Sequence, residues 1–376
     1  MQTKLRQLYQ ELQNLDPARL SVAVGFDGFV DEIVEVVDRR ESFDSYTRMT
    51  HMKQFGERIS NAAGLSTNIE FVPKTMKLGG NGPIMANAMV KAGVNVSYVG
   101  ALGRPNIHPV FTELTDACAQ VYSVTEPGHT DAVEFDDGKV MLGKMESLNE
   151  VTWAALQEQV GSEQLKKIFS GADLAATVNW TMMPYMNEIW DGLLSLISPH
   201  PDGHRPFFFV DLADPSKRSP EDILEALETI RKFSAYYRVI LGLNRKEASE
   251  IATVRRLTLS KPAKEVDLEE IVKALGEDLG LWCLMVHPTN EAGAFVDGQY
   301  YYAEGPFTSK PRLTTGAGDN FNAGFCLGLM LGLGVEESLL VGKATSGFYV
   351  RHMHSPSPEQ LLDFIKLWAD RVGEEF

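Results

Sequence analysis

Four short apolar runs, at residues 174–179, 207–211, 237–242 and 281–286, are separated by longer stretches with helical periodicity. Strands buried on both faces read as near-continuous apolar runs rather than as alternating ones. A β-α-β-α order of this kind predicts a parallel sheet with helices on both faces. No internal repeat, low-complexity tract or linker divides this half of the chain. One large α/β unit over residues 1–376 is the resulting expectation. The earlier part fits the same scheme, with apolar runs at 21–25 and 94–100. Two intervals do not: 32–78 and 120–145 read as extended segments that leave the core. A hairpin turn is expected at Asp136-Asp137-Gly138-Lys139 and another at Asp297-Gly298. The piece from Tyr46 to Ala63 reads as helical, and 149–169 as one helix.

The richest chemistry lies late, in Thr314-Thr315-Gly316-Ala317-Gly318-Asp319. This stretch opens a helix of small and apolar residues. Glycines there leave backbone N–H groups uncovered, and the positive end of the helix dipole points the same way. The product is an anion site, suited to a phosphate. Asp319 falls in the first turn, where a carboxylate can take a proton from an alcohol. Three earlier places carry candidates. Asp27 and Asp31 follow the first strand, at the end where an open α/β sheet holds its ligand. Gly79-Gly80-Asn81 reads as a tight turn into a helix. Asn244-Arg245-Lys246-Glu247 follows the 237–242 strand and reads as an N-cap with an acid in the first turn.

In this order the motifs resemble the ribokinase-like carbohydrate kinases of the phosphofructokinase-B type. The resemblance covers roughly residues 21–351. It implies a three-layer fold with a small β lid, formed by the segments near 32–78 and 120–145. It implies ATP and Mg²⁺, with Asp319 as base and Gly316, Ala317 and Gly318 as anion hole. Asp31, with Asp27 as second choice, would bind sugar hydroxyls beside Gly79, Gly80 and Asn81. Glu247 of the NxxE motif would help hold magnesium, usually through water. Asn244, Thr314, Thr315, Lys343 and Gly347 would border the nucleotide, with Ala344 and Phe348 as further candidates. His129 and Asp131, on the lid hairpin, are possible substrate contacts.

The family pattern is broken at three positions. Ile84 stands where an Asn is usual, His287-Pro288 replaces a Thr-Leu-Gly-like turn, and Leu313 replaces an Asp that commonly helps bind a monovalent cation. The last change implies weak or missing potassium activation. The expected function is an ATP-dependent sugar kinase. Alternatives are a nucleoside or vitamin-like alcohol kinase, or a nucleotide- or sugar-binding regulator that has lost turnover.

Composition limits partners. With 51 acidic against 35 basic residues, net −16, nucleic acid is not the expected partner. No apolar run is long enough for a membrane span. Three dispersed cysteines, Cys118, Cys283 and Cys326, form no metal or disulfide pattern and fit a reducing cytoplasm. A small-molecule, sugar-like substrate is expected, and lids of this family often pair between subunits, which implies a possible homodimer.

Overall fold

The structure is a computed structural model that describes residues 1–199, 203 and 205–376. Strands occur at β1 (Ser21–Phe26), β2 (Phe29–Arg40), β3 (Tyr46–Arg48), β4 (Phe71–Gly79), β5 (Asn95–Gly100), β6 (Gln120–Ser123) and β7 (Gly128–Phe135). They continue as β8 (Gly138–Lys144), β9 (Leu174–Val178), β10 (Phe207–Asp211), β11 (Arg238–Leu243), β12 (Cys283–Val286), β13 (Glu291–Val296) and β14 (Gln299–Glu304). The helices of the first half are α1 (Gln2–Leu12), α2 (Met52–Asn61), α3 (Asn81–Lys91), α4 (Thr112–Ala117), α5 (Trp153–Gln159) and α6 (Ser162–Ser170). Those of the second half are α7 (Met186–Leu196), α8 (Pro220–Lys232), α9 (Arg245–Val254), α10 (Leu268–Leu279), α11 (Ala317–Met330), α12 (Val335–His352) and α13 (Pro358–Asp370).

The main sheet has nine strands in the order β14-β13-β12-β11-β10-β9-β1-β5-β6. From β12 to β6 every pairing is parallel. The β12–β13–β14 edge is antiparallel. Successive strand residues point to opposite faces, so each apolar run feeds two cores. Val22, Val24, Ile240 and Met285 pack toward α3, α11, α12 and α13 on one face. Ala23, Val239, Leu241 and Leu284 pack toward α5 to α10 on the other. That is the expected three-layer α/β architecture.

A second sheet of five strands holds β3-β2-β7-β8, with β4 on β2. It has its own small core of Val34, Val36, Met49, Phe55, Val133 and Phe135. This is the expected lid, with three corrections. The interval near 120–145 divides: β6 pairs with β5 in the main sheet, and the lid part begins at β7. Residues 46–63 also divide, into β3 and α2. The long helix expected over 149–169 is two helices, because Gly161 takes φ +87° between them.

The strand order reverses at β1, which lies between β5 and β9. In open α/β sheets that crevice, at the carboxyl ends of the strands, is where ligands sit. Each neighbouring strand ends here in a polar residue. Asp27 follows β1, Asn179 follows β9, Asp211 closes β10 and Asn244 follows β11.

Candidate active site

Asp319 is the third residue of α11 and is 8% exposed. Gly316 caps that helix at φ +87°, and a Cβ there would sit 2.8 Å from the Tyr349 hydroxyl. Glycine is therefore required by both conformation and space. The side chain of Asn81 donates to Asp319 Oδ1 at 2.8 Å. This bond joins the early and late motifs, because Asn81 starts α3 directly after the Gly79-Gly80 turn. The same turn reaches the early acids. Gly80 takes φ +92°, where an added Cβ would sit 2.8 Å from Asp27 Oδ2, and a Cβ added at Gly79 would sit 2.4 Å from the Asp31 carboxyl carbon. Thus Asp27, Asp31, Gly79, Gly80, Asn81 and Asp319 form one continuous cluster.

The two early acids differ in setting. Asp27 is fully buried and accepts from Gly82 N–H (2.8 Å) and Asn179 Nδ2 (2.6 Å). Asp31 is half-buried on β2, opposite Thr130 of β7, and burial raises its pKa. It faces the cleft. His129 and Asp131, one residue either side of Thr130, fall on the opposite face of the lid by strand alternation. They bind each other there at 3.0 Å, and Lys144 pairs with Asp131 at 3.1 Å. Together with Glu32 they lie close enough to share a cation. By that alternation both lie on the face of the lid away from Asp31.

Two further acids complete the group. Asp211, to which sequence reasoning assigned no role, is 6% exposed and accepts from Ala213 N–H and Asn322 Nδ2, each at 2.8 Å. Asn322 lies one helical turn after Asp319, so α11 presents both toward the strand ends. The available signal was an acid closing the apolar run Phe207-Phe208-Phe209-Val210. Glu247 is 5% exposed. It makes a capping box with Asn244: the Asn244 N–H donates to it at 2.8 Å and the Asn244 side chain at 2.6 Å. The capping role read from NxxE and the inward placement of the acid are therefore compatible.

Burial pushes all these acids up, and repulsion from neighbouring acids adds to it at Asp211, Glu247 and Asp319. Asp27 rises to about 6 and Asp319 to about 7. Asp211 is raised by burial and then by Asp319, and Glu247 by burial and then by Asp211. The Asn179 and Asn322 Oδ1 atoms lie buried beside the cluster without partners. Clustered carboxyl oxygens with spare amide carbonyls are the donor set of a hard divalent cation. The residues present therefore fit magnesium.

On the other side of the α11 mouth lies a cleft of about 330 Å³. Asn244, Thr314, Ala317, Gly318, Lys343 and Gly347 line it, with His287, Pro288 and Phe321. Lys343 does not project freely into it. Its ammonium donates to the carbonyls of Pro288 (2.6 Å) and Thr289 (3.3 Å), and burial lowers its pKa to about 7. Lys343 thus ties α12 to the loop that departs from the family pattern. His287 stacks on Phe321 at 4.8 Å and burial drops its pKa to about 3, so it packs as a neutral ring. Ala344 and Phe348 belong to the helical core rather than to the cleft. Thr315 instead faces the lid, with its hydroxyl accepting from Lys139 and its carbonyl from the Tyr349 hydroxyl (2.8 Å). A larger cavity, about 670 Å³, lies to one side between β4, α3 and the end of α12. Ile84 and Leu313 line it, and none of the clustered acids does.

A family model described as prokaryotic ketohexokinase matches residues 4–368. The chain belongs to that family. A ketohexokinase of Haloferax volcanii is 30% identical over 93% of this chain and 92% of its own length. Among solved structures, a probable sugar kinase from Rhizobium etli is similar with TM-score 0.65 at 17% identity, covering 93% of this chain and 98% of that one. A ribokinase of Arabidopsis thaliana complexed with ribose and ATP is similar with TM-score 0.62 at 15% identity, over 92% and 98%. A nucleoside kinase of Methanocaldococcus jannaschii scores 0.59 at 13%, over 92% and 98%. These last likenesses establish the ribokinase-like fold. Membership of the ketohexokinase family makes the chain an ATP-dependent carbohydrate kinase, a phosphotransferase with an alcohol acceptor. Among the described residues, no helix is long and apolar enough to cross a membrane.

Proposed function

We propose that this chain transfers the γ-phosphate of ATP to a hydroxyl of a ketohexose, with Asp319 as the base. The observation that carries the reading is the placement of Asp319. It lies buried at the start of α11, bonded to Asn81 at 2.8 Å, with its pKa held near 7. A base poised near neutral pH combines the right charge state with useful proton affinity. The ATP phosphates would extend from the 330 Å³ cleft toward the amides of Gly316, Ala317 and Gly318. Backbone donors aimed there offset charge growing on the transferring group. The acceptor would lie between Asp31 and Asp319 over the Gly79-Gly80 turn. Asp27 would hold that turn through the Gly82 N–H. Asp211 and Glu247, with the Asn322 carbonyl, are the residues that would hold Mg²⁺. When bound, the ion supplies charge neutralisation to the phosphates.

A sugar suits this cleft better than a nucleoside. Asp31, Thr130 and Lys139 share the face of the lid opposite its own core, where Phe55, Phe71 and Phe135 pack together, and the one aromatic among the β2 residues beside Asp31, Phe29, is buried against Gly128. The ketohexose is inferred from the name of the Haloferax volcanii relative. A coupled ADP-release assay across ketohexoses, aldohexoses and nucleosides tests the reading, run beside Asp319→Asn. Ketohexose turnover that vanishes in the variant is expected. Preferential turnover of a nucleoside, or ligand binding without any turnover, would replace this reading with one of its rivals.

A further inference from the structure

Gly316 is the hinge of the anion-hole turn, and glycine is the residue least able to hold a turn by itself. Its φ of +87° and ψ of 0° are set by the two peptide planes that flank it. Each plane is gripped by a side chain to which the mechanism gives no task.

The first plane joins Thr315 to Gly316. Its carbonyl accepts from the Tyr349 hydroxyl at 2.8 Å. A trans peptide is planar, so its N–H points away from its carbonyl. Fixing the Thr315 carbonyl on Tyr349 therefore directs the Gly316 N–H to the other side of the turn. Tyr349 is buried, and burial, with Asp319 and Asp31 adding to it, pushes the pKa of its phenol well up, so it stays a donor. Its own helix is seated beside the turn. The Val350 carbonyl accepts from the N–H groups of Arg312 (2.8 Å) and Leu313 (3.3 Å).

The second plane joins Gly316 to Ala317. Its carbonyl accepts twice from Asn320, from the backbone N–H at 3.0 Å and from Nδ2 at 2.9 Å. The backbone bond is the ordinary first bond of α11; the side-chain bond is additional. The Ala317 N–H closes the turn on the Thr314 carbonyl at 3.1 Å. The Asn320 side chain is held in its turn, because the Ser355 hydroxyl donates to Oδ1 at 2.8 Å. Asn320 and Ser355 are both buried. A satisfied buried network of this kind is rigid.

We propose that Tyr349 and Asn320 are the positioning residues of the anion hole, holding φ and ψ of Gly316 so that the amides of the turn stay aimed at the transferring phosphoryl group. The inference rests on the kinase reading above. In the step, the acceptor oxygen bonds to the γ-phosphorus and the acceptor proton passes to Asp319. The bond to the β–γ bridging oxygen breaks, and its electron pair leaves with ADP. Tyr349 and Asn320 act on this step only through the backbone. Donors already in place need no reorganisation as charge grows on the phosphoryl oxygens.

The test measures kcat, Kd for ATP and for D-fructose, and the tightening of ADP binding by aluminium fluoride in the presence of the sugar, in Tyr349→Phe, Asn320→Ala and Ser355→Ala. Tyr349→Phe keeps the ring and loses only the hydroxyl. Its kcat should fall by about tenfold or more, toward the roughly 100-fold that a misplacement of about 1 Å causes, with both Kd values within about twofold of wild type. Aluminium fluoride should tighten ADP binding less than in wild type. Asn320→Ala should behave alike and Ser355→Ala more mildly; where Asn320→Ala does not fold, Tyr349→Phe decides alone. Gly316→Ala combined with Tyr349→Phe should be no slower than Gly316→Ala alone, because the second change removes the hydroxyl that the new Cβ meets at 2.8 Å. A merely structural role would lower Tm and leave kcat per folded molecule unchanged. That result, a smaller fall in Tyr349→Phe, or losses that multiply in the double variant overturns the proposal while the kinase reading stands. A wild-type protein that phosphorylates no sugar overturns the kinase reading and this proposal with it.

Discussion

Asp319 carries the heaviest chemical demand of any single side chain here. Its pKa of about 7 comes chiefly from burial, against which the Asn81 bond acts. A base must be ionised to accept a proton, so kcat/KM should rise with pH and level off above about 7. A pH–rate profile from 5.5 to 9 checks this; a flat profile across that span contradicts the assignment. Removing the Asn81 donor strips the term that favours the carboxylate. Asn81→Ala should therefore move the acid limb of the profile upward. Residue-level legibility was uneven. Gly316, Gly318 and Asp319 stand in one contiguous run, so local order alone announced them. Asp211 and Asn322 did not stand out, because they meet only when β10 and α11 pack 111 positions apart in sequence. The face that His129 takes was illegible for a related reason. Its number placed it on the hairpin, but only the register of β7 against β2 decides which face it takes.

Elements turn these residues into a site through two glycine turns and one capping box. Gly80 takes φ +92° with Asp27 directly over it, and Gly316 takes φ +87° beneath Tyr349. A side chain at either position is strained in the backbone and displaces a neighbour. Gly80→Ala should cost more than about 1 kcal/mol in stability, the scale for a substitution at positive φ, measured by urea unfolding. Gly316→Ala should reduce kcat sharply because its Cβ would collide with the Tyr349 hydroxyl and Ile84 and shift the turn that presents these amides; unaltered turnover would remove them from the account. Strands and long helices were readable because buried parallel strands announce themselves as apolar runs. Helix starts are sharp where a serine caps them: Ser219 before α8 and Ser357 before α13 each accept from the N–H three residues on. The break at Gly161 was missed because helical periodicity runs on through α5 and α6. The α2 helix and β3 merged for the opposite reason: a three-residue strand is too short to show a period.

For the whole molecule, the order of strands does the organising. Because β1 sits between β5 and β9, strand ends far apart in sequence open onto one crevice, and the acids gather there whether or not their positions look related. That gathering is energetically unfavourable. Acids with pKa values raised in the fold bind protons more tightly when folded than when unfolded. Their contribution to stability is therefore lost as pH rises from the ordinary carboxylate range near about 4 through about 7. A divalent cation held at Asp211 and Glu247, as proposed, would reverse the repulsion. Mg²⁺ should raise Tm more at pH 8 than at pH 6, and Glu247→Gln should reduce that difference; a Mg²⁺ shift independent of pH would separate the cation from these acids. The central claim is that the buried carboxylate at the mouth of α11 takes the acceptor proton during phosphoryl transfer. Its most direct test is a single-turnover measurement of γ-phosphate transfer from ATP to D-fructose by Asp319→Asn. The expected result is a rate lower by about 100- to 10,000-fold, with Kd for ATP and fructose within about twofold of wild type. A rate within a few-fold of wild type would contradict it.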